Sequence, residues 1–131
     1  MVCLDTSVVV AMLRKDRAAT ERLRSEVEGG GTLFTTMVTL CELYAGAFGA
    51  NDPQKELNKI EELLANLEIL GLEEGAARRY GELVNDVTLK RAPIGDFDLI
   101  IASIALEQGE RLVTRNVRHF SRIPGLVTEQ W

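Results

Sequence analysis

The sequence predicts an α/β protein, a three-layer α/β/α sandwich around a mostly parallel central sheet of four to five strands. Three observations predict it. Short apolar runs of strand length recur, as in "VCL", "TLFTT" and "RLVT". Longer stretches with apolar residues at helical spacing separate them. The two kinds alternate along the chain. No internal repeat, low-complexity segment or linker interrupts them, so residues 1–131 read as a single domain.

Residues 2–5 read as the first strand, and Thr6 or Ser7 can cap a short helix through Leu13. "DRAATERLRSEVE" is a helix with Asp16 as its cap and Leu23 and Val27 on one face, and it stops at Gly29 to Gly31. That glycine run lacks the lysine and hydroxyl of a phosphate loop and precedes a strand, so it is a turn. "TLFTT" is the second strand, after which Thr36 can cap a helix through about Phe48. Pro53 suits the first turn of the next helix, where Leu57, Ile60, Leu63, Leu64 and Leu67 form an apolar stripe. "LEILGL" is a short third strand, followed by one helix over residues 73–90. "IGDFDLIIASIALEQG" is a nearly all-apolar helix ending near Gly109. "RLVT" and "GLVTE" complete the sheet.

Bulk properties narrow the function. Of 131 residues, 46% are hydrophobic and 27% charged, ordinary for a soluble globular protein. No apolar run reaches the roughly 18 residues a membrane span needs, and no secretory signal is evident, so the expected location is the cytoplasm. Cys3 and Cys41 sit in apolar stretches and read as small buried free thiols. One histidine, His119, and two distant cysteines give no structural zinc spacing. A net charge of −5 excludes coating nucleic acid through bulk positive charge. The charge is uneven, however. "RLVTRNVRHFSR" carries Arg111, Arg115, Arg118 and Arg122 without an acid, which is either a solvated face or a local phosphate-contacting patch.

The informative residues are acids in apolar surroundings, where a carboxylate is costly unless paired. Asp5 ends the first strand, and ligands of parallel sheets gather at strand carboxyl ends. Glu42 lies past any capping position in an oily helix that, apolar nearly all round, is expected to be buried, and Thr39 shares its face. Asp96 and Asp98 precede the most apolar helix, where Asp96 suits the cap and Asp98 the first turn. Asp5, Glu42 and Asp98 can converge on one edge of the sheet. Three carboxylates there repel unless a cation sits between them. Oxygen donors with no His or Cys nearby favour Mg²⁺ or Mn²⁺ over zinc. Such an ion beside arginines suits phosphodiester hydrolysis without a Ser or His nucleophile.

Five blocks in order, "LDTSV", "TTMVTLCEL", "IGDFDLIIASIAL", "LVTRNVRHF" and "IPGLVTEQW", resemble the PIN-domain ribonucleases of the VapC type, the toxins of prokaryotic toxin–antitoxin pairs. The resemblance covers nearly the whole chain. It implies a PIN-like fold and a Mg²⁺- or Mn²⁺-dependent endoribonuclease with Asp5, Glu42 and Asp98 as the acidic metal-binding residues. Thr6 or Ser7 would hydrogen-bond near the metal. Asn116 stands where the family often carries a fourth acid, and Asp96 could compensate in part. Arg115, and after it Arg118, would contact the scissile phosphate. A homodimer and a VapB-like antitoxin partner, its tail laid over the acidic site, are also implied. A PIN domain that binds RNA or a partner without cutting is the alternative. A haloacid-dehalogenase-type phosphotransferase would need a second acid where Ser7 stands. A phospho-acceptor domain would need an aspartate in "LEILGL" and a lysine beyond Lys90, and has neither.

Overall fold

Five short strands, all parallel, form the central sheet of the computed structural model, which describes residues 1–131. The elements run β1 (Val2–Leu4), α1 (Thr6–Leu13), α2 (Arg17–Glu28), β2 (Leu33–Thr36), α3 (Met37–Phe48), α4 (Pro53–Leu64), β3 (Glu68–Leu70), α5 (Glu74–Val84), α6 (Val87–Arg91), α7 (Asp96–Gln108), β4 (Leu112–Val113), α8 (Val117–Phe120) and β5 (Thr128–Glu129). The spatial order is β3-β2-β1-β4-β5. The chain therefore starts in the middle, builds outward to β3, then crosses back to add β4 and β5 on the other side of β1. That reversal opens a crevice at the carboxyl ends of β1 and β4, the place where parallel sheets hold ligands.

Period-two alternation splits the buried residues between two faces. Val2, Leu4, Leu33 and Val113 pack under α1 to α4, with Leu43, Ala47 and Ile60. Cys3, Phe34 and Leu112 pack under the second half of the chain, with Ala76, Leu83, Leu89, Ile101 and Ile104. This is the three-layer sandwich that the alternation of elements predicts. No helix is long and apolar enough to cross a membrane.

Four local expectations need correction. The helix expected over residues 73–90 is two, because Asp86 accepts the Thr88 and Leu89 backbone N–H groups and starts α6 afresh. The cap of α1 is Asp5 rather than Thr6 or Ser7, although its side chain makes no capping bond. The cap of α7 is Gly95, so Asp96 is the first helical residue. Finally, α3 is not buried all round. Met37, Cys41 and Phe48 are exposed, so only Cys3 is the buried thiol expected of both cysteines. At its other end α7 stops as predicted, with Gly109 in the left-handed conformation at φ 67°.

Candidate active site

Asp5 leaves β1 still bonded to the sheet, its N–H donating to the Val113 carbonyl (2.9 Å), and is only 4% exposed. A buried carboxylate needs donors. Two hydroxyls supply them: Ser7 and Thr114 each donate to Oδ2 at 2.8 Å. Both hydroxyls then accept from the loop after β4, Ser7 from the Arg115 N–H (3.0 Å) and Thr114 from the Asn116 N–H (2.9 Å). The two strand ends are thereby laced together around Asp5.

Glu42 reaches the same region from α3. Thr6 donates to its Oε1 at 2.8 Å, and the Thr39 hydroxyl lies 2.9 Å from that of Thr6. With the Thr6 proton committed to Glu42, Thr39 is the donor to Thr6. The i, i+3 spacing of Thr39 and Glu42 puts them on one face as expected. Thr36 caps α3 by accepting the Thr39 N–H at 3.2 Å.

Asp98 comes from the first turn of α7. Its Oδ2 lies 3.1 Å from His119 Nε2. Partial burial pushes its carboxyl above the ordinary aspartate range, and the charge on Asp5 pushes it further, with His119 opposing both. Asp5 and Asp98 thus share one electrostatic neighbourhood, while Glu42 is a single hydrogen bond from Thr6, the residue after Asp5. As the side chains stand, no three acid, imidazole or thiol groups are close enough to share one ion. Each acid is instead occupied by its own partner. The donors themselves, carboxylates flanked by hydroxyls, are of the hard oxygen kind that Mg²⁺ and Mn²⁺ take.

The remaining expected residues fall into two groups. Ser7 and Thr6 lie against the acids, and Asn116 reaches them only through its backbone. Asp96 does not join them: being helical, it points away from Asp98, and its Oδ1 accepts the Tyr80 hydroxyl at 2.9 Å. Its role as a compensating ligand is set aside on that ground, along with its role as the cap. Arg115 is on the site's rim, with its guanidinium paired to the Asp16 carboxylate. That pairing holds Asp16 well below the usual range. Arg118 is exposed. Glu42 also lines a cleft of about 380 Å³ with Arg14, Lys59 and Ile60, a wall that sequence reasoning did not find.

Thr114 and His119 were missed as well. Thr114 carries a signal in retrospect, as a threonine at the carboxyl end of a strand. His119 looked like one more member of a basic run, and the premise that no histidine is near the acids is overturned by its contact with Asp98.

Comparison with known proteins decides the family. A profile described as PIN domain matches residues 2–126. The chain belongs to the PIN-domain family. Among relatives of this PIN domain, the tRNA(fMet)-specific endonuclease VapC of Shigella flexneri is 33% identical, the match covering 98% of this chain and 96% of that one. Ribonuclease VapC2 of Haemophilus influenzae is 31% identical with the same coverage. Among solved structures, VapBC2 from Rickettsia felis bound to a DNA fragment from its promoter superposes with a TM-score of 0.93 at 29% identity, covering 100% of this chain and 99% of that one. DNA-bound VapBC from Salmonella typhimurium gives 0.91 at 30% identity, with the same coverage.

Proposed function

We propose that this PIN domain is a divalent-metal-dependent endoribonuclease, the toxin of a VapBC-type pair, silenced by a VapB-like antitoxin. The observation that carries the reading is Asp5, buried, held by two hydroxyls at the sheet's switch point and electrostatically coupled to Asp98, with Glu42 alongside. The names of its relatives, endonuclease and ribonuclease, support the same chemistry. Relatives solved as VapBC complexes support the antitoxin.

In this reading Asp5, Glu42 and Asp98 hold Mg²⁺ or Mn²⁺. The ion, when bound, lowers the pKa of a water and offsets charge on the phosphate under attack. Ser7 and Thr114 orient the Asp5 carboxylate, and Thr6 with Thr39 orients Glu42, so loading the ion has only to draw these carboxylates together from their present partners. Arg115 leaves Asp16 to meet an RNA phosphate, and Arg118 adds a second contact. The chain works as one unit of 131 residues, in the cytoplasm where RNA and partner are. It pairs with a second copy of itself, which would cover exposed apolar residues such as Met37 and Phe48 on α3.

The test is cleavage of structured RNA by antitoxin-free protein with and without Mg²⁺ or Mn²⁺. Cutting is expected only with metal. It should fall by roughly a hundredfold or more in Asp5→Asn, Glu42→Gln and Asp98→Asn, on the scale of losing groups that stabilise a transition state. Equal cutting by variants and parent would remove the assigned site. RNA bound but left whole by the parent in either metal would favour the binding-only reading.

A further inference from the structure

We propose that Phe97 is a stacking platform for an unpaired base of the RNA strand beside the cut, and that Arg91 and Arg122 hold phosphates of the same strand. The inference rests on the endoribonuclease reading above and adds the path its substrate takes over the surface. Phe97 stands in the first turn of α7, between Asp96 and Asp98, and is 55% exposed. Both neighbouring acids are turned to partners, Asp96 to the Tyr80 hydroxyl at 2.9 Å and Asp98 to His119 at 3.1 Å. The ring between them lies outside both apolar cores and has no aromatic neighbour. One residue from an acid of the site, it offers an unstacked base an open face.

Two separate segments bring cations to the same region. Helix α6 ends in Lys90 and Arg91, and the Arg122 guanidinium donates to the carbonyl of Ala92, the next residue. Arg118 precedes His119, whose ring meets Asp98. All four cations are exposed and none pairs with a carboxylate, whereas six other arginines do. Such a local concentration of positive charge, in a chain of net charge −5, draws a polyanion to this edge. A second copy of the chain suits the face poorly, because a two-fold axis through it sets these cations against their own copies. An acidic peptide would answer the cations but leave the ring without a flat partner. A single strand of RNA answers both.

The experiment is photocrosslinking of an iodouridine-containing single-stranded oligoribonucleotide to the antitoxin-free full-length chain in EDTA, with binding followed by fluorescence anisotropy over a range of salt. The crosslink is expected on Phe97. Phe97→Ala should lose it and weaken binding by about fivefold or more, and Phe97→Leu, apolar but without a π face, should do the same. Phe97→Trp should keep both crosslink and affinity. Arg91→Gln combined with Arg122→Gln should lower the slope of log affinity against log salt by about 1.4, the share of two single-strand phosphates, and lysine at both positions should restore it. Melting curves confirm that each variant is folded. Parent-strength binding by Phe97→Ala overturns the platform, and an unchanged salt slope overturns the phosphate contacts. Phe97→Ala that dissociates a dimer or releases the antitoxin while sparing RNA assigns the face to a protein and overturns the proposal as well. Cutting by Asp5→Asn in Mg²⁺ or Mn²⁺ defeats the assignment of the acids instead, a failure that the metal-free binding data keep distinct.

Discussion

At the scale of single residues, the site is a problem of burying a carboxylate. Asp5 is tolerable in the crevice because Ser7 and Thr114 donate to the same oxygen. Thr114→Val keeps the shape, removes one donor and leaves the Asn116 N–H without its acceptor. Hydrogen bonds to a charged group are worth about 1.5–3 kcal/mol, so the metal-free variant should lose about that much in urea unfolding. An unchanged midpoint would mean that Ser7 alone suffices. The acids themselves were legible in the sequence, because Asp5, Glu42 and Asp98 are conspicuous in apolar runs. Their partners were not. Nothing within "TRNVRHF" says that its histidine meets an aspartate 21 positions earlier, since that contact depends on how α8 returns to the sheet. Asp96 shows the complementary error. A cap and a first-turn residue look alike in sequence, and one residue of offset turned its carboxylate from the cap to Tyr80.

At the scale of elements, periodicity located every strand and nearly every helix, and the misses lie where a helix breaks or where an element is a single turn. The pattern from Glu74 to Arg91 has no proline or glycine at its break, so the local hydrogen bonds of Asp86 decided it. Those bonds make a prediction with a pH sign. The Thr88 hydroxyl first, then the Leu89 and Thr88 N–H groups, hold the Asp86 carboxyl below its usual range. A depressed carboxyl contributes stability above its unfolded value, and that contribution fades as pH falls through the folded one. Asp86→Ala should therefore melt below the parent at neutral pH, with the gap closing in acid. Hydrogen exchange should localise the loss to α6. A gap that is independent of pH would place the effect elsewhere than in the ionised cap. The exposed face of α3 escaped prediction for a different reason. Apolar composition does not by itself compel burial, since much of any folded surface is apolar, and Met37, Cys41 and Phe48 face outward.

For the molecule as a whole, the sheet order was beyond the sequence, because strands of two to four residues carry too little pattern to choose neighbours. The order matters to function. Placing β1 between β2 and β4 puts Asp5 beside Thr114, and it gives the two apolar cores a shared wall. If that wall couples them, residues 1–131 unfold as one. Ile60 on α4 lies in one core and Ile104 on α7 in the other, each 2% exposed. Ile→Ala at such sites costs about 2–5 kcal/mol, a large share of the roughly 5–15 kcal/mol that holds a domain together. Trp131, the sole tryptophan, packs in the Ile60 core, so its fluorescence reports one side while far-ultraviolet circular dichroism reports both. Ile104→Ala should move the two urea transitions together, although its cavity lies across the sheet from the tryptophan. The double variant should lose close to the sum of the single losses, since the residues share no packing partners. A tryptophan transition left in place while the circular dichroism shifts would show two separately folding halves. Asp5, on the strand between them, would then be held by a hinge rather than by a wall.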